Sequence, residues 1–388
     1  MEVLHERPPP ASPSDPPGPS AGTRPRDATF DILKGLSIVE VMTHHTLSTG
    51  MRKFTVDYDP LWWTMAVLSR ILHFAVPTFL LVSAVLLARS VASRPVPDWR
   101  RFYARRVQRS LWPYLIWTAI YITFRVLWLR AESDMAPAQL NLGFAAMTAP
   151  SVLMPDRLWL CLLWGKGYFH LYFMVILLQF SVLFPLLLAL MRGLRLRFGA
   201  VLLISGLIQW AVFMAQRHWL GLRWPGSTVV WYCMPVITGM WLGMNWALWE
   251  DIWRRWRWAF WGLAVAGLAV YLPPAVMHYL HRPYSSLVFN GGIAVYCMGV
   301  ALLLLGFSKR LVRTNLPRRF FQAIGDRSIA FFLIHPAILF LMGGPKVTAF
   351  LDRLPAPTLV MGLLLLAVTW ALSEASRRLR LDGILFGR

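Results

Sequence analysis

Apolar residues run through this chain in blocks of about twenty, separated by short basic stretches, from residue 30 to residue 376. At 1.5 Å per residue such a block crosses a hydrocarbon layer about 30 Å thick. The pattern predicts ten transmembrane helices, over roughly residues 30–48, 61–88, 111–129, 168–191, 198–216, 228–247, 258–279, 287–307, 328–343 and 356–376. Residues 1–29 contain eight prolines and no apolar run. They read as a disordered cytoplasmic tail rather than a secretory signal. Residues 377–388 read as a second, basic cytoplasmic tail. The longest loop, 130–167, mixes Pro150 and Pro155 with Trp159, Leu160, Leu162 and Trp164. That mixture fits a short interfacial or re-entrant segment, and equally a plain ordered loop.

Composition excludes a soluble core. Of 388 residues, 57% are hydrophobic and 15% charged, against about 45–50% and 25% in soluble domains. The formal charge of +21 raises nucleic acid as a partner, but the positions of the basic residues point to lipid instead. With ten spans and the tails inside, 26 of the 39 Lys and Arg fall in inner segments and 10 in outer ones. This is the positive-inside asymmetry. The expected fold is therefore an all-α, polytopic protein of about ten helices, both termini cytoplasmic, in the inner cell membrane. Trp253, Trp256 and Trp258, interleaved with Arg254, Arg255 and Arg257, form an inner-face anchor of the interfacial kind. Cys161, Cys233 and Cys297 lie far apart in apolar sequence, as small buried hydrophobes rather than a disulfide or metal set. No metal is expected.

Ionisable groups inside a span cost several kcal/mol and mark function by default. The first span is rich in them: Asp31, Lys34, Glu40, His44 and His45. Lys34 and His45, eleven residues apart, share one helical stripe and are separated by about 16 Å along the axis. Asp31 lies close to that stripe and can pair with Lys34 across one turn; a snorkelling ion pair at the helix entry is the bland alternative. Glu40 and His44, four apart, share another face and are expected to hydrogen-bond each other.

Several local runs carry a resemblance. Asp31-Ile32-Leu33-Lys34-Gly35, followed by His45, resembles the Asp-x-x-Arg-Gly opening and first-span His of the acyltransferase family 3 membrane proteins. In order after it come His73-Phe74-Ala75-Val76-Pro77-Thr78-Phe79-Leu80-Leu81-Val82-Ser83, the basic run Arg101–Arg109 with Trp112-Pro113-Tyr114, and Phe169-His170-Leu171-Tyr172-Phe173-Met174 with Pro185 closing that helix. Last comes Gly325-Asp326-Arg327-Ser328 through Leu333-Ile334-His335-Pro336, where Pro336 is expected to end the helix. The resemblance covers about residues 28–376. Lys34 stands where Arg is usual, keeping the charge without the bidentate fork; Ala84 replaces the usual Gly, and Tyr172 the usual Trp.

The resemblance implies transfer of an acyl group, commonly acetyl, from cytoplasmic acyl-CoA to a hydroxyl of a carbohydrate or lipid-linked sugar. Catalytic roles then fall to His45, Lys34 and Asp31. Arg105, Arg106 and Arg109 suit the donor's phosphates, although positive-inside topology also accounts for them. Extended pantetheine matches the Lys34–His45 spacing, and a neutral His45 is a general base for the attacking hydroxyl, worth about 10²–10⁴-fold. Direct transfer needs no Ser or Cys nucleophile, and an acyl-histidine intermediate stays open. Glu40, His44, His73, Ser83, His170, Ser328 and His335 are candidates for orienting His45 or binding the acceptor. His73 with Arg70 is expected either to line an outer vestibule or, equally, to form an interfacial pair, and His218, His278 and His281 to be solvated. A transporter or flippase using the same histidines as a proton relay, and a non-catalytic relative scaffolding polysaccharide export, are the alternatives.

Overall fold

The structure is a computed structural model describing residues 27–92, 97–131 and 155–388. All regular elements among them are helical. They are α1 (Ala28–Phe54), α2 (Pro60–Ile71), α3 (Ala75–Ala92), α4 (Trp99–Arg106), α5 (Trp112–Ala131), α6 (Pro155–Trp164), α7 (Tyr172–Arg192) and α8 (Phe198–Ala215). There follow α9 (Cys233–Met244), α10 (Trp249–Tyr279), α11 (Ser286–Leu311), α12 (Leu316–Asp326), α13 (Ser328–Met342), α14 (Pro345–Leu351), α15 (Pro357–Arg378) and α16 (Asp382–Phe386). Residues 1–26 of the expected tail and much of loop 130–167 lie outside the described residues.

Six described segments are long and apolar enough to cross a membrane: Pro60–Ala92, Tyr172–Arg192, Phe198–Leu220, Trp246–Tyr279, Ser286–Leu311 and Pro357–Arg378. The pair Leu316–Asp326 and Ser328–Met342, bent by 77°, adds a seventh if taken as one span. Of the other expected spans, α1 carries buried charge and α9 has only 12 residues.

Helix α1 is the axis of the bundle, packed against α2, α3, α11, α12, α13 and α15. We call the end holding the start of α1 proximal, and the end holding residues 55–59 and 280–285 distal. Glycines allow the closest crossings. A Cβ at Gly239 or Gly243 of α9 would strike the Leu81 and Val85 carbonyls of α3. One at Gly35 would strike the Phe321 carbonyl, and one at Gly325 the Asp31 carbonyl, so α12 lies with its backbone against the start of α1. Small residues at such crossings are how apolar helices gain contact where no hydrophobic driving force exists. Ala84, fully buried, occupies the space that Gly239 leaves open.

The sequence reading needs several corrections. Residues 89–110, expected as a loop, hold α4, which runs through a wide π-type turn (Val107–Leu111) into α5. Residues 248–257 begin α10, and 308–327 hold the end of α11 and the amphipathic α12. Charge lowered the apparent hydrophobicity there while leaving helix propensity intact. The 228–247 span is a 3₁₀ turn, Val229–Tyr232, followed by the short α9. Pro185 and Pro336 sit inside α7 and α13 and end neither. A span of this kind tolerates proline when neighbouring groups take up the freed carbonyl, as at Pro336 below.

The second span is broken at Leu72–Phe74 between α2 and α3. Its loose backbone groups are taken up by other helices. The Ser69 carbonyl would ordinarily accept from the His73 N–H, which goes to the Arg70 carbonyl instead; His44 Nδ1 donates to Ser69 at 2.8 Å. The Tyr296 hydroxyl donates to the Ile71 carbonyl at 2.5 Å, and the Glu40 carboxyl faces the Phe74 N–H. The expected Glu40–His44 bond is therefore absent among the described residues: each side chain reaches across to the break instead of to its neighbour. Irregular backbone at this depth is viable only when satisfied in this way.

Candidate active site

Because α1 is unbroken from Ala28 to Phe54, Lys34 and His45 do share one helix face, about 16 Å apart along it. Lys34 Nζ pairs with Asp31 at 2.7 Å, and the Asp31 carboxylate is almost fully buried. Both lie where α12 crosses α1 through Gly35 and Gly325. The pair expected from their spacing is present.

Around His45 the structure gathers four of the other predicted histidines. The His45 ring stacks on His335, with centroids 5.7 Å apart, and meets Phe169 edge-on at 4.8 Å. His44 lies 5.0 Å from His45 and 5.1 Å from His73, and His170 lies 6.3 Å from His335. Five imidazoles thus run in a chain through the core. These are ring contacts rather than a converging ligand set, and among the described residues no group is placed to hold a metal ion.

Each ring is positioned differently. His335 is fully buried, and its Nδ1 donates to the Phe331 carbonyl at 2.8 Å. It also faces the Phe332 carbonyl, the one that Pro336, lacking an N–H, leaves without its helical donor. The proton is therefore on Nδ1, which leaves the buried Nε2 as an acceptor with no partner among the described residues. His170, 3% exposed, has neither ring nitrogen bonded among the described residues. It is packed between Tyr121, at 4.9 Å, and Phe332, at 5.1 Å. His44 is tied to Ser69 through Nδ1, and Ser69 Oγ contacts Ser48 Oγ at 2.9 Å. His45 has no hydrogen bond to protein among the described residues and opens onto a cavity.

His170 gets its depth from residues 155–171. The Tyr114 hydroxyl of α5 donates to the Cys161 and Leu162 carbonyls, at 3.1 and 2.5 Å. The Arg125 guanidinium donates to the Gly167 carbonyl at 3.2 Å, and Tyr168 stacks on Tyr121 at 4.5 Å. Helix α6 and the turn after it are therefore tied to α5, which leaves His170 buried inside the bundle.

The cavity, of about 300 Å³, occupies the distal half of the bundle between α1, the α2–α3 break, α8 and α11. Glu40, His44, His45 and His73 line it from the α1 side, with Gln209, Trp231, Tyr232 and Asn290 opposite. The sequence reading missed this opposite wall. Gln209 and Asn290 were visible as polar residues within apolar spans, but nothing in their spacing linked them to α1.

Other candidates lie apart. Ser83 is half-buried on α3 and Ser328 opens α13; neither lines the cavity. Arg105, Arg106 and Arg109 lie on the α4–α5 run at the proximal end, where α4 packs on α7 and Gly387 approaches Arg109. Burial, and then the like charges of Arg109 and Arg105, hold the Arg106 guanidinium below its ordinary pKa, a crowding that an anion would relieve. Arg70 stacks over the Tyr279 ring at 4.6 Å, beside the cavity wall rather than in it.

With this geometry in hand, a family model described as an acyltransferase domain, acyltransferase family 3, matches residues 27–374. The chain belongs to acyltransferase family 3. The matched stretch runs from the N-cap of α1 into the last turn of α15 and takes in all five histidines. It is a multi-pass membrane protein of the acyltransferase kind. Searches of curated proteins and of solved structures return no match.

Proposed function

We propose that the protein is an O-acyltransferase that takes an acyl group, in the simplest case acetyl, from acyl-CoA at the proximal, cytoplasmic face. It passes the group to a hydroxyl of a carbohydrate or lipid-linked sugar entering from the distal, outer face. The observation that carries this is the position of His45. It is free of protein hydrogen bonds among the described residues, opens onto the distal cavity, and shares a helix face with the Lys34–Asp31 pair.

In this reaction one ring nitrogen of neutral His45 accepts the proton of the acceptor hydroxyl as its oxygen attacks the thioester carbonyl. The C–S bond breaks, and the departing CoA thiolate takes the proton back from the imidazolium. The products are an ester and free CoA. His335, stacked on His45 and held in one tautomer by the carbonyls near Pro336, fixes the base in place. Lys34, with Arg105, Arg106 and Arg109, supplies cations for the donor's phosphates.

The test is acyl-CoA turnover and sugar acylation by the purified protein in lipid nanodiscs. His45→Ala is expected to lose about 10²–10⁴-fold of the transfer rate; an undiminished rate rejects the proposal. The unbroken chain of histidines favours a second reading, proton-coupled movement of a polar lipid. Uptake of labelled lipid into proteoliposomes without ester formation is the outcome that selects it.

A further inference from the structure

A second cleft lies at the proximal end, apart from His45 and from the basic α4–α5 run. It measures about 860 Å³ and is walled by the loop between α7 and α8, the first turn of α8, the end of α9 and the start of α10. No residue of α1, α4, α5 or α13 lines it. Arg192, Arg195, Arg197 and Arg255 do. Arg192 donates to the Val91 carbonyl at 3.1 Å. The other three are exposed and have no ion pair or hydrogen bond through their side chains among the described residues. The carboxylate in the wall, Asp251, is already paired with Arg254.

The backbone that carries these cations is pinned. Leu196, half-buried between Arg195 and Arg197, packs onto the core, and its carbonyl accepts from the Trp241 indole at 3.2 Å. Trp256 lies so close to Gly199 that a Cβ there would come within 2.7 Å of the ring. That contact brings the start of α10, and Arg255 with it, up to the start of α8. Three like charges thus face one space with no counter-ion of the protein's own, an arrangement that an anion stabilises. Arg197 is also the N-cap of α8 and offers no side-chain acceptor, so the open N–H groups of that turn add to the positive field. Guanidinium forks match phosphate oxygens in pairs, which an ammonium does not. Leu203 and Leu207, one and two turns beyond Gly199 on the same face of α8, are exposed. A free phosphate has no use for that apolar face, whereas the acyl chains of a phospholipid do.

We propose that this cleft binds the phosphodiester headgroup of an anionic phospholipid from the leaflet at the proximal face. Arg195, Arg197 and Arg255 hold the phosphate oxygens, and the acyl chains run along the exposed face of α8. Basic pockets between membrane helices recognise anionic headgroups in this way. General attraction of basic loops to an anionic leaflet depends on how many charges there are; a cleft depends on where they stand. The site is separate from the thioester chemistry, and it stands or falls independently of the acyl-transfer reading.

Native mass spectrometry of the full-length protein, with dioleoylphosphatidylglycerol and dioleoylphosphatidylcholine added in equal amounts, measures the affinity for each lipid. The phosphatidylglycerol is expected to bind at least about tenfold tighter. Arg195→Gln, Arg197→Gln and Arg255→Gln, combined in one variant, are expected to erase that preference. Arg313→Gln, Arg318→Gln and Arg319→Gln, combined in another, remove the same charge from exposed positions at and beside α12, at the same end. That variant is expected to keep the preference. Equal affinity for the two lipids in the unmodified protein, or equal loss in the two variants, overturns the proposal. Displacement of the lipid by an equal concentration of glycerol 3-phosphate also overturns it, by making the ligand a soluble phosphate. Displacement by acetyl-CoA does the same, by making the cleft part of the donor path.

Discussion

In the proposed reaction the residues of α1 divide between binding, chemistry and structure according to what each can reach. Asp31 and Lys34 satisfy each other at 2.7 Å, so the net charge offered to a donor phosphate at that point is small. Their combined value is a fixed ammonium rather than a strong field. Lys34→Ala is accordingly expected to raise the KM for acyl-CoA while changing kcat less, and Lys34→Arg to restore the KM through its larger fork of donors. Equal donor affinity in Lys34→Ala and the unmodified protein removes Lys34 from the donor site. His44 and Glu40 look from the sequence like a bonded i,i+4 pair. Each is drawn away by a backbone group that the break at Leu72–Phe74 leaves loose, a demand that no helical wheel of α1 contains.

At the scale of elements, what could be read in the chain was the set of long apolar helices and the shared face of Lys34 and His45, because both follow from periodicity within one segment. The basic amphipathic pieces α4 and α12 were hidden, since their charge mimics a loop. The prolines at 185 and 336 misled for the opposite reason: proline ends a helix in water, but inside a bundle the freed carbonyl can find another donor, and at Pro336 the freed Phe332 carbonyl is faced by the His335 ring. Histidine convergence was legible only as a set of candidates, because nothing local shows that α6 and its turn fold back to carry His170 against Tyr121. The crossing of α1 and α12 yields a direct test. Gly325→Val places branched carbon against the Asp31 carbonyl. It is expected to cost at least about 1–3 kcal/mol of stability, read as a lower Tm in detergent with weakened acyl-CoA turnover. Gly193→Ala, at a position with open space around it, should leave the Tm within about 1 °C.

For the molecule as a whole, the proposed function gives the two faces opposite duties, donor entry at the proximal face and acceptor entry at the distal one. Single cysteines in a cysteine-free background check the orientation in intact cells. Asp57→Cys, exposed at the distal end, should react with an impermeant maleimide from outside, and Leu194→Cys, exposed at the proximal end, only after permeabilisation. The opposite pattern inverts the topology and with it the side from which the donor comes. One further consequence follows from the backbone contact of α12 with α1. Since α13 continues from α12 and carries His335, the ammonium, the base and its stacked neighbour all belong to one welded body. The facing wall, α8 and α11 with the start of α9, shares none of these groups. If the proposed reaction holds, swapping the cavity-facing residues of that wall is expected to change which acceptor is taken while leaving acyl-CoA turnover in place, a split that a chimaera of α8 and α9 would show.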